Sequence, residues 1–324
     1  MREKENFVPS LLRSLFPAVN PQSATAAQKY RGRLAPSPTG YLHLGHARTF
    51  WFAQERARAN GGELILRNED LDSTRFKMEF VEAMLEDLRW FGFEWSEGPD
   101  VGGKFAPYNQ SERMDFYRAA LEKLRVGNFI YPCTCSRKDI QAATRAPHAN
   151  DDGEPIYPGT CREKSGELKV ENCKLDEPTR EPATFNQQPS TKFSWRFRVP
   201  DGETISFVDG NLGEQKFVAG KDFGDFVVWR GDDVPAYQLA CVADDAAMRI
   251  SEVVRGADLL ISTARQILLC RALGLPEPNF FHCDLMLDDK GERLAKRHDV
   301  LSLKKLRELG ETPESLRQKF FCAT

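Results

Sequence analysis

The 324 residues are 41% hydrophobic and 29% charged, an ordinary globular mix and long enough for one large domain or two modest ones with a buried core. No apolar run reaches the roughly 18 residues of a membrane-spanning helix, so that class is excluded. A formal charge of −3 does not exclude RNA, because binding depends on a local basic face, but it requires such a face to be segregated.

Residues 1–29 hold Leu11, Leu12, Leu15 and Phe16, interrupted by Arg13 and Pro17, while Glu3 and Glu5 argue against a targeting peptide. A flexible N-terminal extension is expected, on a cytoplasmic protein. Eight cysteines without an export signal read as thiols or metal ligands rather than as a disulfide framework.

Arg31 to Asp72 reads as strand, Pro-rich loop, helix, Gly-Gly turn and second strand, one βαβ unit with a site at its mouth. Pro36 and Pro38 stop the first strand near Ala35. His43, Leu44, Gly45 and His46 should open a helix that continues through Ala47, Phe50, Trp51 and Gln54 and ends at Asn60, Gly61 and Gly62. Histidines three apart share a helix face, where the free N–H groups of the first turn favour an anion. Gly45, lacking Cβ, lets a flat ring approach the backbone. Adenine and a triphosphate fit that description, which makes His43, Gly45 and His46 candidate ATP-binding residues.

Further along, Asp72, Ser73 or Thr74 is expected to cap a helix with Phe80, Val81, Met84, Leu85 and Leu88 as its apolar stripe and Gly92 as its stop. A second helix is expected from about Ser111 to Val126. At Tyr131 the character changes. Cys133 and Cys135 cannot bridge each other without strain, yet as thiolates both reach one metal, and four-coordinate zinc would need Cys161 and one more group. His148 and Cys173 are chemically ordinary candidates for the fourth place. Residues 163–191 lack periodicity and read as an irregular insertion.

SWRFRV, TISFVD and KFV read as antiparallel strands with turns at Asp201-Gly202 and Asp209-Gly210, expected to stay apart from the parallel sheet. The sheet should resume with FVVW. AYQLACVADDA and EVVRGADLL each end in polar groups, as a strand or helix facing a site would. Ser262 or Thr263 is expected to cap the helix ending at Gly274, and an apolar strand, a turn and the basic loop RLAKRHD follow.

RLAPSPTGYLHLGH resembles the opening signature of the class I aminoacyl-tRNA synthetases in its glutamyl form; LRNEDLDSTR, VVRGADLL and RLAKRHD are similar to that branch's later motifs, in order. The resemblance implies an α/β fold: a Rossmann-like catalytic domain in two halves, 30–130 and 231–324, around an inserted zinc-containing α+β lobe, 131–230, that meets the RNA stem. It implies His43, His46 and Lys296 as catalytic residues, with Lys296 on a loop that closes over ATP and its Mg2+. Arg293 stands where lysine is usual and Ala295 where serine is usual. For L-glutamate it implies Arg33, Leu34, Ala35, Pro36, Ser37, Glu69, Tyr237 and Arg255, with arginines for the side-chain carboxylate and Glu69 for the amino group.

The cysteine pattern and the absence of a following anticodon-binding part make the chain look like the short, glutamyl-queuosine branch. That likeness implies zinc on Cys133, Cys135, Tyr157 and Cys161. It also implies a monomer that transfers glutamate to queuosine in the anticodon loop of tRNA for aspartate. The alternatives are a truncated or split glutamyl-tRNA synthetase charging the 3′ end, a related nucleotidyltransferase that does not need glutamate, and a non-catalytic RNA-binding paralogue.

Overall fold

The computed structural model describes residues 29–136, 138–140, 156–162, 193–286 and 302–321. β1 (Arg31–Leu34) and β2 (Glu63–Leu66) run parallel, Arg31 opposite Glu63 and Leu34 opposite Leu66, and α1 (Leu44–Ala59) crosses between them. This is the expected βαβ unit. Leu44, Ala47, Phe50, Ala53 and Ala57 form the buried face of α1. The chain turns back through Gly61, at φ +56°, and Gly62, where any Cβ would lie 2.6 Å from the Tyr30 carbonyl oxygen.

The helix α2 (Met78–Phe91) begins later than expected. Its N-cap is Lys77, with no side-chain cap bond. Asp72 accepts instead from the Thr74 hydroxyl at 2.6 Å and pairs with Arg75, closing a tight turn of its own ahead of the helix. Likewise α3 (Met114–Val126) starts after a short 3-10 turn, because Ser111 is spent on Asp70: its N–H and hydroxyl donate to that carboxylate at 2.8 and 2.6 Å. Both helices present Leu and aromatic side chains to the core, and α2 stops at Gly92 in the left-handed region.

The later strands sort differently from the expectation. β3 (Ile130–Cys133), β4 (Ser194–Phe197) and β7 (Phe226–Trp229) form an antiparallel sheet of their own, so FVVW does not resume the parallel sheet. The hairpin β5 (Thr204–Asp209) and β6 (Gly213–Val218) joins the parallel pair β8 (Glu252–Gly256) and β9 (Asn279–Cys283), in the order β6-β5-β9-β8. Asp209 pairs parallel with Phe280, and the Gly210 N–H donates to the Phe280 carbonyl at 2.8 Å. Alternation alone could not show this, since it marks a half-buried strand but not its neighbour. Beside β8 lies β1, where the Ser251 N–H donates to the Arg31 carbonyl at 2.9 Å.

AYQLACVADDA is helical, in α4 (Tyr237–Ala247), and EVVRG is strand β8. Helix α5 (Leu260–Leu273) grows out of a 3-10 turn, Ala257–Leu259. Ser262 and Thr263 therefore lie inside it, buried, rather than at its cap. The short helices α6 (Leu303–Glu308) and α7 (Pro313–Phe320) close the described chain. The Leu303 N–H donates to the Leu42 carbonyl at 2.7 Å, which fastens α6 beside the HLGH turn. Among the described residues no helix is long and apolar enough to cross a membrane.

A buried polar knot binds α4 to α3 and the 3-10 turn before it. Asp244, fully buried, accepts from Arg113 Nε at 2.6 Å, Gln110 Nε2 at 2.8 Å and the Tyr117 hydroxyl at 2.8 Å. Removing one member strands buried partners in low dielectric. Asp244→Ala is expected to lower unfolding free energy by about 3–5 kcal/mol, measured by denaturant titration; a loss below about 1 kcal/mol, the surface ion-pair value, would contradict it.

Candidate active site

His43 and His46 cap α1 reciprocally. His43 Nδ1 accepts from the Gly45 N–H at 3.1 Å, and His46 Nδ1 lies 3.4 Å from the His43 N–H. This is a capping box built from two imidazoles instead of Ser and Glu. With Nδ1 accepting on both rings, the neutral tautomer carries its proton on Nε2, a donor for a ligand. The rings stack, centroids 3.7 Å apart. His46 is solvent-exposed, yet the mass of protein around it and then His43 lower its pKa to about 3, so it is neutral at physiological pH. A Cβ at Gly45 would approach the His43 ring to 3.1 Å, so the glycine keeps the backbone open there.

Carboxylates and guanidinium groups alternate along one side of the cleft. The Arg67 side chain, with no exposed surface, donates to Asp245 at 2.6 Å and Glu69 at 2.9 Å. Asp245 also faces Arg33 Nε at 3.4 Å, and Arg33 Nη1 donates to the Val254 carbonyl at 3.0 Å. Burial opposes the charge on Arg67, but Asp245, Glu69 and Asp244 outweigh it and raise its pKa. Burial pushes the Glu69 carboxyl up, with Arg67 opposing. The loop after β1 is tied in by backbone bonds from Arg67 N to Leu34 O and from Glu69 N to Pro36 O. Arg33, Leu34, Ala35, Pro36, Ser37 and Glu69 are therefore neighbours at the ends of β1 and β2.

Arg255 leaves β8 beside them. Its Nε donates to His282 Nε2 at 3.2 Å and its Nη2 to Thr263 Oγ1 at 2.7 Å, while Nη1 is buried and, among the described residues, has no partner. A buried, unpaired guanidinium N–H is costly unless a ligand supplies its acceptor. Tyr237, on the first turn of α4, is 39% exposed although protein surrounds it. Burial raises its pKa, Cys241 and Glu69 add to the rise, and Arg255 and Arg33 oppose it. The phenol thus stays protonated, a neutral donor within electrostatic reach of both arginines and Glu69.

A second cluster lies at the end of β3. The sulfurs of Cys133, Cys135 and Cys161 all lie within 4.8 Å of one another. The Tyr157 hydroxyl is 3.4 Å from both Cys133 Sγ and Cys135 Sγ. At Zn–S bonds of about 2.3 Å, tetrahedral sulfurs sit about 3.8 Å apart, so the donor set fits one metal ion, and Tyr157 stands with it. His148 and Cys173 lie outside the described residues, as do Lys296, Arg293 and Ala295.

A sequence model of the family described as "tRNA synthetases class I (E and Q), catalytic domain" matches residues 29–322. The chain belongs to that family. It is an α/β class I synthetase catalytic domain, and the parallel strands β1, β2, β8 and β9 carry its cleft. A glutamyl-Q tRNA(Asp) synthetase of Symbiobacterium thermophilum is 47% identical over 285 residues, covering 88% of this chain and 83% of the relative. A glutamate-tRNA ligase of Nitrosococcus oceani is 43% identical, covering 88% of this chain and 57% of the ligase. Among solved structures, the glutamate-tRNA synthetase of Elizabethkingia anophelis superposes with a TM-score of 0.69 at 30% identity. The alignment covers 88% of this chain and 54% of that one, so the synthetase domain described here spans about half of the solved enzyme.

The residues that sequence reasoning missed in this synthetase domain are its supports: Arg67, Asp244, Asp245, Asp209, Thr263 and His282. Two signals were present. Asp244-Asp245 places adjacent acids on an apolar helix, and His282 sits in an apolar strand; each needs a buried partner.

Proposed function

We propose that this protein activates L-glutamate with ATP, forming glutamyl-adenylate, and transfers the glutamate to queuosine in the anticodon loop of tRNA(Asp). What carries the activation step is Arg255, whose buried Nη1 lacks an acceptor among the described residues, beside Arg33, Glu69 and Tyr237. A γ-carboxylate supplies the missing acceptor, and a charge-assisted bond of this kind contributes roughly 1.5–3 kcal/mol. Glu69 accepts from the α-amino group, with Ser37 and Tyr237 adding hydroxyls.

The Nε2–H donors of His43 and His46 meet the ATP phosphates at the start of α1, where free N–H groups favour an anion. Gly45 leaves room for adenine. One oxygen of the α-carboxylate attacks the α-phosphorus; the bond to the bridging oxygen breaks and magnesium pyrophosphate leaves. Lys296, in the basic RLAKRHD motif, would neutralise charge that develops on the phosphates. The side chains hold and polarise the reactants, and none forms a covalent bond.

Cys133, Cys135, Cys161 and Tyr157 would hold one zinc ion, a structural tie between β3 and the segment around Tyr157. About one equivalent of zinc is expected in protein purified without added metal, and chelation should lower Tm by roughly 5 °C. Metal-free protein with unchanged melting in chelator would remove the site.

The assignment of the acceptor rests on the 47% identity to a relative named as a glutamyl-Q tRNA(Asp) synthetase and on the 83% of that relative covered. Identity of 43% to a glutamate-tRNA ligase favours a second reading, charging of the tRNA 3′ end. Digesting tRNA labelled with radioactive glutamate separates the two: label on the anticodon-loop fragment supports queuosine, and label on the 3′-terminal adenosine overturns it.

A further inference from the structure

Arg255 is gripped along one edge of its guanidinium group, Nε by His282 and Nη2 by Thr263. Thr263 Oγ1 itself lies 3.0 Å from His282 Nε2. Behind the imidazole, His282 Nδ1 lies 2.6 Å from Asp209 Oδ2, and both side chains have no exposed surface. Asp209 is fixed in turn. Its Oδ1 accepts from the N–H groups of Asn211 and Leu212 at 3.0 and 2.9 Å, and its Oδ2 accepts from the His282 N–H at 3.1 Å. The chain Asp209, His282, Arg255 thus crosses three adjacent strands, β5, β9 and β8, and ends at Arg255 Nη1, the nitrogen of that guanidinium with no partner among the described residues.

We propose that Asp209 and His282 are positioning residues that aim Arg255 Nη1 at the side-chain carboxylate of the amino acid, and so set the affinity for that substrate; this rests on the role given to Arg255 above. The imidazole has two neutral tautomers, and only one works. An ionised Asp209 accepts the proton of Nδ1, which leaves Nε2 as an acceptor for the Arg255 Nε–H. The other tautomer sets two donors face to face. Burial and then Arg255 lower the His282 pKa to about 4, so the ring is neutral at physiological pH. Burial opposes ionisation of Asp209, but its bonds to His282 and to the Leu212 and Asn211 N–H groups hold it below the ordinary range. Released from this edge, the guanidinium plane is free to rotate about its stem, and a misplacement of about 1 Å can cost on the order of 100-fold.

The test is glutamate-dependent pyrophosphate exchange on His282→Leu, His282→Gln and Asp209→Asn in the full chain, with Tm recorded for each. His282→Leu should raise KM for glutamate on the order of tenfold or more, with KM for ATP little changed. His282→Gln restores an acceptor and should recover most of the loss. Asp209→Asn, which offers an N–H to Nδ1, should follow His282→Leu. Combined with Arg255→Leu, His282→Leu should add no more than about twofold, because both act through one contact. If His282→Leu fails to fold, the Asp209→Asn and His282→Gln pair carries the comparison. A folded His282→Leu or Asp209→Asn with normal glutamate KM, where Arg255→Leu is impaired, overturns the relay alone. Fully multiplicative losses in the double variant overturn it too. A normal Arg255→Leu overturns both the relay and the role of Arg255.

Discussion

Arg255→Leu is expected to raise KM for glutamate in pyrophosphate exchange on the order of 100-fold, while KM for ATP moves by no more than about threefold. The size follows from what the substitution removes: a buried charge facing a carboxylate, where truncating one partner typically costs about 2–5 kcal/mol. The selectivity follows from position. Arg255 lies on β8 with Thr263 and His282 around it, while His43 and His46 are at the head of α1. Arg255→Lys should not rescue, because an ammonium cannot occupy the His282 and Thr263 contacts and still present a donor at the Nη1 position. Equal losses for the two substrates would contradict the assignment.

Lys296→Ala is expected to lower the rate of adenylate formation on the order of 100- to 1000-fold with glutamate binding near normal, the size seen when a preorganised electrostatic group is removed from a charged transition state. Single-turnover formation of adenylate, read beside equilibrium glutamate binding, separates the two effects. Arg293 retains the positive charge of the family pattern, whereas Ala295 lacks its hydroxyl. Ala295→Ser should therefore be active, with any change confined to the rate of adenylate formation. A fully active Lys296→Ala would remove this lysine from the chemistry.

The βαβ unit was legible because local rules converge on it. Prolines end β1, helical spacing carries α1, and Asn60-Gly61 ends it. The juxtaposition of Cys133, Cys135, Tyr157 and Cys161 followed from spacing and family likeness together. Sheet partnership was not legible. TISFVD alternates in the same way whether its neighbour is the inserted lobe or β9, and the deciding contacts, Asp209 with His282 and Gly210 with Phe280, join residues about 70 positions apart. Caps failed where a polar side chain had a stronger partner. Asp72 turned to Thr74 and Arg75, and Thr263 turned to Arg255. The same competition hid the supports of the site, since a residue that binds substrate belongs to a short motif, whereas Asp209, Asp245 and His282 are defined only by what the fold sets beside them.

The activation chemistry is tested most directly by trapping the activated acid. Protein given magnesium ATP, hydroxylamine and L-glutamate should yield glutamyl hydroxamate without RNA, and little or none with glutamine, which lacks the second carboxylate for Arg255 Nη1 and Arg33, or with aspartate, whose side chain is one methylene too short to reach them while Glu69 holds its amino group. No hydroxamate from glutamate, with or without queuosine-containing tRNA, would contradict the assignment of this cleft to glutamate activation.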